Sequence, residues 1–471
     1  MENSFISKEK PNTKKLIEDL SKALNIDINK LNFLNEQLNT IIINSNPNSL
    51  QDILRTYFNL LEKEMSSLIT KRITPAFQFG IKNEYFTFIG YTGQFNITTN
   101  SDLITDKTYF SLDSISKTIT SILTMLLIRD GKISLETPIN SFNKNFNMDA
   151  SIESILKFTA MIQTEKRIDN LSTEETIQIL KNCRENLEAK QQIKNYYQYN
   201  DLGYMILRLS IPDFLDRLDQ LLLTIDNNNL TYQNIINKDL ITGGKIGSEH
   251  ITPDPKGRDI LFPGHTGLYS NIEGIMNFFN KAFYTNSILT KEELDLLLKQ
   301  PYTDPHVYNK DGNIAINKNG SNLYIAKVGG LYRKPNNIID PSFDKITSCD
   351  FSNLTTNNAL ASAGTCGSWV VGDDLTYQNK FGPYIGAILS NPYSSIKNTT
   401  YPDIQNQIPN TNLIVNQKGV IFGYSGMLNR YKETITNYGL LLELLTEYLK
   451  ETNLYQEFNT TKKTYIKKLI I

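Results

Sequence analysis

The protein has 471 residues, and its 48 Lys and Arg residues nearly balance its 49 Asp and Glu residues, which gives a formal net charge of −1. A protein that binds nucleic acid usually carries a clear basic excess or stripe, so this balance argues against a nucleic-acid partner. Hydrophobic residues make up 40% of the sequence, which at this length is enough to bury a large core.

The cysteines and the N-terminal segment indicate a reducing compartment. Cys183, Cys349 and Cys366 are too few and too scattered for a disulfide framework, and neither they nor the three histidines have the spacing of a metal site. The first twenty residues lack the apolar stretch of a secretory signal, and no apolar run approaches the roughly eighteen residues that span a bilayer. We therefore expect a cytoplasmic protein with no metal and no membrane span.

The first part of the chain predicts helices followed by a β-hairpin. Leu and Ile recur at helical spacing over residues 13–44, which indicates two amphipathic helices joined near residues 25–27. A further helix is predicted over residues 50–69. The aromatic-rich runs 76–81 and 85–91, separated by three polar residues, have the pattern of a hairpin.

The pattern is helical from about residue 111 to residue 300, with long polar connections. Strand character returns at residues 368–372 and 384–389, and residues 431–449 form a strongly amphipathic helix. The Lys-rich segment 451–471 indicates a basic, solvated C-terminal tail.

This order predicts an α/β (α+β) fold, in which an antiparallel sheet is built from both ends of the chain. N- and C-terminal helices would flank the sheet, and an all-helical subdomain would be inserted. We expect an N-terminal helical extension (residues 1–49) before a main domain (50–450). Within that domain, residues 50–110 and 300–450 would form the sheet subdomain, and residues 111–299 the helical subdomain.

The first chemical candidate is the pair Ser114 and Lys117, which are three residues apart and would share one face of a helix. A serine hydroxyl becomes a nucleophile when a neighbouring base takes its proton, and a lysine with a lowered pKa can be that base. The apolar stretch after Lys117 predicts a buried helix with Ser114 at its N-terminus. Backbone N–H groups there favour an oxyanion.

The Ser-x-x-Lys spacing occurs six times, but only Ser114 opens a long apolar helix. The other occurrences lie in polar loops or short mixed stretches and begin at Ser7, Ser141, Ser154, Ser342 and Ser394. The alternative interpretation is that Ser114 only caps its helix.

A second candidate is the segment 198–207, in which Tyr199 and Asp201 flank one residue at the entry to a helix. Both side chains can therefore face one cleft. Tyr199 could share a proton with Lys117, and Asp201 could hydrogen-bond the lysine or a substrate amide. The Tyr-x-Asn/Asp pattern also recurs elsewhere in this Tyr- and Asn-rich chain.

A third candidate is the segment 359–374. Ser362 offers a hydroxyl, Gly364 permits close approach of the backbone at a strand edge, and Thr365 can donate a backbone N–H to an oxyanion. The alternative is a glycine-containing strand that simply packs.

Together these segments resemble the serine β-lactamase and penicillin-binding-protein superfamily, above all its class C β-lactamase and esterase branch. The passage FSLDSISKTIT…LIRDGKISLETPI is similar to the nucleophile helix of that branch. The passages YNDLGYMIL and PGHTGLYSN are similar to its Tyr-Ser-Asn/Asp and Gly-His-x-Gly-Leu-x-Ser segments. The resemblance covers roughly residues 50–450.

The resemblance implies that Ser114 is the nucleophile, Lys117 its base partner and Tyr199 the proton shuttle. The backbone N–H groups of Ser114 and Thr365 would form the oxyanion hole. No cofactor is implied.

Two positions depart from the family's pattern. Asp201 stands where most members have Asn, and Ser362, with Gly364 after it, occupies the place of a Lys-Thr-Gly or His-x-Gly motif. Asp201 would tend to keep Lys117 protonated, which favours Tyr199 as the working base. The missing cation at position 362 removes a partner for a substrate carboxylate, so we do not expect efficient β-lactamase activity.

The resemblance thus predicts a serine hydrolase that forms an acyl-enzyme with a small-molecule or peptide ester, amide or thioester. One alternative is an acyltransferase or thioesterase of a biosynthetic pathway, whose N-terminal helices would dock a carrier or protein partner. Another is a binding protein that kept the fold and lost activity. His265, in a Gly-flanked loop, is expected to be structural, and no spacing fixes a pairing of Cys366 with a histidine.

Overall fold

The computed structural model describes residues 11–68, 76–93, 103–165, 168, 171–226, 228–232, 240–241, 264–316, 322–325, 327–333, 354–364, 368–390, 423–460 and 463–469. The α-helices in these ranges are α1 (Thr13–Leu24), α2 (Asn32–Asn44), α3 (Leu50–Leu68), α4 (Ser116–Arg129), α5 (Ile139–Phe142), α6 (Ile152–Leu156), α7 (Thr173–Asn182), α8 (Leu187–Gln191), α9 (Leu202–Ser210), α10 (Phe214–Ile225), α11 (Ile272–Phe283), α12 (Lys291–Leu298), α13 (Gly423–Lys450) and α14 (Tyr455–Thr460).

The β-strands in the same ranges are β1 (Ala76–Lys82), β2 (Phe86–Gly93), β3 (Tyr109–Ser111), β4 (Ile162–Gln163), β5 (Arg184–Glu185), β6 (Leu230–Thr231), β7 (Leu240–Ile241), β8 (Tyr269–Ser270), β9 (Lys327–Val328), β10 (Leu331–Arg333), β11 (Leu360–Ala363), β12 (Trp369–Asp374), β13 (Pro383–Ser390) and β14 (Lys463–Lys468). Short 3-10 turns at Ile28–Leu31 and Asp113–Ile115 lead into α2 and α4.

The N-terminal helices form where the apolar periodicity predicted them. The Asn12 side chain accepts the backbone N–H of Lys15 at the start of α1, and the helix ends at Asn25, which has a left-handed φ of 53°. Helices α1 and α2 turn Leu16, Leu20 and other apolar residues towards α13. Their apolar faces are thus part of one core with the C-terminal helix, and the division of the chain near residue 49 stays a prediction.

The main sheet has the order β14-β2-β1-β13-β12-β11-β10-β9. Strands β1 and β2 form the predicted hairpin, and β1 pairs antiparallel with β13, so strands from both ends of the chain meet at the centre. The predicted antiparallel sheet flanked by helices is confirmed. Among the described strands of this sheet, β14 pairs in parallel with β2, and the other pairs are antiparallel.

Both faces of this sheet are covered, which explains the nearly continuous apolar runs of its central strands. Successive side chains point to opposite faces. Val370 belongs to the core shared with the helical segment, whereas Trp369 and Val371 belong to the core shared with α1–α3 and α13. Gly386 lets α13 approach the sheet closely, because a Cβ atom there would lie 2.3 Å from Cγ2 of Ile435.

The inserted segment is mainly helical but, contrary to the prediction from the sequence, not all-helical, and its helix α9 packs on both α4 and α6. It also contains short strands that the helical pattern concealed. Strands β6, β8, β3 and β7 form a small sheet in that order, and β4 pairs with β5. The small sheet joins the segment before α4 to the segment before α11.

The prediction of a solvated tail at residues 451–471 missed a strand and a helix. Strand β14 pairs along β2 at the edge of the main sheet, and the ring of Tyr465 stacks on Phe88 at 5.2 Å. Lys467 pairs with Glu62 of α3. Lysines are compatible with a solvated tail, but lysines on an edge strand also protect the exposed edge of a sheet from pairing with other chains.

Within the described ranges, none of the helices combines the length and the apolar character needed to cross a lipid bilayer.

Candidate active site

Ser114 lies in the 3-10 turn that leads directly into α4. It is partly exposed, whereas residues 111–113 and 115–125 on either side are buried. Asp113, just before it, has a φ of 45°, a left-handed conformation that residues other than glycine rarely adopt. The Ser111 hydroxyl donates to Oδ1 of Asp113 (3.0 Å) and holds this turn. The chain therefore presents one serine at the surface of an otherwise buried segment, next to a strained residue of the kind that clusters at functional sites.

The capping interpretation of Ser114 has no support in these contacts. The residues before the 3-10 turn and before α4 are Leu112 and Ile115, and neither has a side-chain cap hydrogen bond. The Ser114 hydroxyl instead accepts a hydrogen bond from Nζ of Lys117 at 3.2 Å.

Lys117 is completely buried on α4, and its ammonium group has three oxygen atoms at hydrogen-bonding distance. Nζ lies 3.2 Å from Oγ of Ser114, 3.0 Å from the carbonyl oxygen of His265 and 2.6 Å from Oδ1 of Asp201. Three acceptors match the three hydrogens of a protonated lysine.

The electrostatics of the pair keep both groups charged. Burial alone would lower the pKa of Lys117, but the Asp201 carboxylate and the Tyr199 hydroxyl outweigh it and raise that pKa above its ordinary value. Desolvation would raise the pKa of Asp201, yet Lys117, His265 and Lys327 together hold it below its ordinary value. Lys117 is thus an ammonium ion that is poorly suited to accept a proton.

Tyr199 lies in the loop that enters α9, beside this ion pair. Its ring centroid is 5.1 Å from Nζ of Lys117, and the residue is 40% exposed. The ring packs at 4.9 Å on Phe158, a buried residue with a left-handed φ of 58°. Tyr197 and Tyr204 pack on the same ring. Phe158 therefore anchors the loop that carries Tyr199.

The segment 264–268 contributes backbone carbonyl groups that the sequence analysis did not assign. The His265 carbonyl accepts from Lys117, and the Gly264 carbonyl accepts from Oγ1 of Thr120 at 2.8 Å, one helical turn further along α4. Gly264 and Gly267 have φ values of 147° and 89°, which only glycine adopts readily. The PGHTG pattern is the sequence signal that could have indicated this segment. The contact to Lys117 comes from the backbone carbonyl of His265 and not from its ring.

Ser362 is buried on β11, and its hydroxyl is engaged within the fold. Oγ donates to the carbonyl oxygen of Gly330 at 3.1 Å, in the turn between β9 and β10. Gly330 (φ 78°) lies against α4, because a Cβ atom on it would be 2.7 Å from the backbone nitrogen of Thr118. Ser362 thus connects β11 to a turn that packs on the Lys117 helix.

Gly364 follows β11 and lies close to the Ser114 turn. A Cβ atom there would approach the carbonyl oxygen of Leu112 to 2.5 Å and Cβ of Asp113 to 3.0 Å. The N–H of Gly364 donates to the carbonyl of Ser368 at 2.8 Å. Close backbone approach is what the sequence predicted for Gly364. Thr365 and Cys366 lie outside the described residues.

Lys327 on β9 was missed by the sequence analysis. The residue is 3% exposed, and its Nζ lies 4.8 Å from the ring centroid of Tyr199 and 4.6 Å from that of Tyr332. Its carbonyl oxygen accepts from the Tyr197 hydroxyl at 3.1 Å. No local motif surrounds Lys327. The hairpin of β9 and β10, whose strand β10 pairs with β11, brings it to the site.

Comparisons with known proteins identify the fold. No protein-family model and no curated protein matches the sequence. Among solved structures, a class C β-lactamase is similar with a TM-score of 0.51 and 14% identity, over 73% of this chain and 94% of that chain. A penicillin-binding-protein homologue from Pyrococcus abyssi has a TM-score of 0.49 and 16% identity, over 71% and 74%. A class C β-lactamase from Rhodobacter sphaeroides has a TM-score of 0.48 and 12% identity, over 80% and 99%.

At this level of identity the similarity concerns the fold, and the prediction made from the sequence motifs is confirmed at that level. The chain has a fold similar to that of a class C β-lactamase.

Proposed function

We propose that the protein is a serine acyl hydrolase in which Ser114 forms an acyl-enzyme with an ester, amide or thioester. One observation carries the proposal: a partly exposed serine hydroxyl lies 3.2 Å from the ammonium group of a fully buried lysine. Tyr199 and Asp201 adjoin the same lysine. A purely structural serine would not need such a costly buried cation as its neighbour.

In the proposed reaction Tyr199 is the base. The Ser114 hydroxyl accepts a hydrogen bond from Lys117, so its own proton is available for donation to a deprotonated Tyr199. As the bond from Oγ to the acyl carbon forms, the proton passes to Tyr199 and then to the leaving group, whose bond to the acyl carbon breaks. Water then attacks the acyl-enzyme and releases the acid.

The oxyanion hole belongs to the proposal as well. The backbone N–H of Ser114 lies at the start of a helical segment, where it favours negative charge, and Thr365 would supply the second N–H. Each such donor contributes about 10²–10³ in rate. Asp201, Ser362 and Gly364 remain proposed contributors to substrate binding. For Ser362 the hydrogen bond to Gly330 argues that this contribution is indirect.

Three further expectations belong to the same proposal: a cytoplasmic location, no metal or other cofactor, and a small-molecule or peptide acyl substrate. If the acyl acceptor is an alcohol, an amine or a thiol rather than water, the protein is an acyltransferase. A carrier or protein partner would then meet the outer face of the N-terminal helices, where Lys14, Lys15 and Lys22 are exposed.

Intact-mass measurement after treatment with a fluorophosphonate tests the proposal. We expect one adduct on the wild type and none on Ser114→Ala. Ser141→Ala is the matched control, because Ser141 is exposed and has the same spacing to Lys144; it should be labelled like the wild type. Equal labelling of wild type and Ser114→Ala would overturn the proposal. Absence of any adduct would overturn it too and would favour the binding-protein alternative.

A hydrolysis screen with p-nitrophenyl esters, D-amino-acid amides and acyl thioesters then identifies the acyl class. The same reactions in the presence of an added alcohol or amine acceptor separate hydrolysis from acyl transfer, because transfer yields a new ester or amide instead of the free acid.

A further inference from the structure

The inference concerns the positive charge that is missing at position 362, and it rests on the proposed function. The hydroxyl of Ser362 donates to the Gly330 carbonyl at 3.1 Å. The neighbouring Gly329 donates its N–H to the Leu156 carbonyl at 2.8 Å, and Gly330 packs on the backbone of Lys117 and Thr118. The turn between β9 and β10 is therefore held between β11, α6 and α4.

This arrangement brings Lys327 to the same tyrosine that Lys117 adjoins. The ring centroid of Tyr199 lies 5.1 Å from Nζ of Lys117 and 4.8 Å from Nζ of Lys327. The Tyr197 hydroxyl binds the Lys327 carbonyl, so the strand that carries the lysine is connected to the loop that carries the tyrosine.

A second lysine buried at this point requires compensation, because removing an ammonium group from water is costly. The faces of Tyr199 and Tyr332 provide part of it through cation–π contacts. The Asp201 carboxylate provides another part, since Lys327 is among the groups that lower the pKa of Asp201.

The formal charges beside Tyr199 do not balance, because two ammonium groups and one carboxylate leave an excess of one positive charge. Lys117 and Lys327 are buried, so water screens their charges poorly. The titratable groups around Tyr199 are Lys117 on α4, Tyr197 in the same loop, Tyr204 on α9 and Lys327 on β9, with Asp201 paired to Lys117.

We propose that Lys327 is a positioning residue for Tyr199, and that it supplies from the β9–β10 hairpin the positive charge that Ser362 lacks. Lys327 stabilises the negative oxygen of the tyrosine base and holds its ring over the Ser114–Lys117 pair. Ser362 takes part by fixing the hairpin rather than by touching the substrate.

The test measures how the rate of fluorophosphonate labelling depends on pH. We expect Lys327→Met to move the rising limb of the profile to higher pH by about one to two units, the shift that a single charge at this range produces. Lys327→Arg keeps the positive charge, so the rising limb of its labelling profile should lie at the same pH as that of the wild type. The matched control is Lys432→Met, which removes another buried lysine over an aromatic ring, that of Trp369 on the far face of the sheet. It should leave the limb unchanged.

A readout without catalysis separates this inference from the proposed function. The ultraviolet absorbance of tyrosinate in the wild type, minus that in Tyr199→Phe, reports the ionisation of Tyr199 alone. The same difference measured in the Lys327→Met background should have a midpoint higher by about one to two pH units. An unchanged midpoint, or a limb that Lys327→Arg fails to restore, would overturn the inference even if Ser114 is labelled. A shifted midpoint in a protein that is not labelled would support the inference and contradict the proposed function.

Discussion

Lys117 and Asp201 form an ion pair between a completely buried ammonium group and a carboxylate whose side chain is 53% exposed, with 2.6 Å between Nζ and Oδ1. The buried partner depends on the exposed one, because burial by itself would lower the pKa of the lysine. The residue at position 201 therefore influences which group in the site can accept a proton.

Replacement of this carboxylate by an amide tests the dependence. In Asp201→Asn the pKa of Lys117 should fall, because the carboxylate that raises it is removed. The rising limb of the labelling profile should then move to lower pH, by about one unit. Asp201→Ala should shift the limb in the same direction and lose more stability than Asp201→Asn, because it removes one of the three acceptors of the buried lysine, whereas the amide oxygen of Asn can keep it. A limb that stays in place or moves to higher pH would show that Asp201 does not control the base.

Tyr199 should be essential for acylation but not for folding. Its hydroxyl adjoins Lys117, while its ring provides the packing on Phe158, and Tyr199→Phe keeps that ring. We expect acylation by the fluorophosphonate to slow by about 10²–10⁴ with an unchanged melting temperature. Tyr196→Phe is the control in the same loop, since the Tyr196 hydroxyl binds Gln198 and not the ion pair. A wild-type rate in Tyr199→Phe would exclude Tyr199 as the base.

The sequence predicted the local parts of the site better than the long-range ones. Ser114 and Lys117 lie near each other because a spacing of three residues sets their distance on a helical segment. The spacing of Tyr199 and Asp201 at the entry to a helix predicts that both can face one cleft, and the resemblance of motifs adds their roles. The structure brings these four residues together, although their separation along the chain gives no distance by itself.

The parts of the site and of the fold that the sequence could not predict are brought together by tertiary packing, and no local sequence pattern marks them. Lys327 enters the site through pairing of strands, and the His265 carbonyl enters through a glycine-rich turn. Strand β14 was missed because an alternation of Lys, Thr, Tyr and Ile is compatible with either a solvated tail or a sheet edge. Pairing with β2, more than 300 residues away along the chain, decides between them.

Close packing at Gly364 leads to a prediction about the Ser114 turn. In Gly364→Ala the new Cβ atom would meet the Leu112 carbonyl oxygen at 2.5 Å, so one backbone segment must move. We expect a stability loss of about 1–3 kcal/mol and a slower acylation of Ser114. Gly382→Ala is the control, because its nearest contact would be an ordinary 3.5 Å. Urea unfolding and labelling rates check both variants, and equal effects of the two substitutions would refute the steric argument.

Glu443 is a buried acid on the other side of the sheet, remote from the proposed chemistry. It lies on α13, 2% exposed, where its Oε2 accepts the N–H of Gly382 at 3.0 Å. Burial raises the pKa of this carboxyl to about 7, despite the hydrogen bonds from Gly382 and Asn83. The folded protein therefore binds this proton more tightly than the unfolded chain does.

The raised pKa of Glu443 makes stability depend on pH in a definite direction. The stabilisation is complete below the ordinary pKa of about 4.5 and is lost as the pH rises through about 7, with a total on the order of 3 kcal/mol. Glu443→Gln keeps an acceptor for Gly382 and cannot ionise, so it should be less affected than the wild type by a change from about pH 5 to about pH 8. Urea unfolding at both pH values measures the difference. Glu433→Gln, at an exposed position of the same helix, should retain the wild-type dependence. An equal pH dependence in Glu443→Gln and wild type would mean that another buried group is responsible.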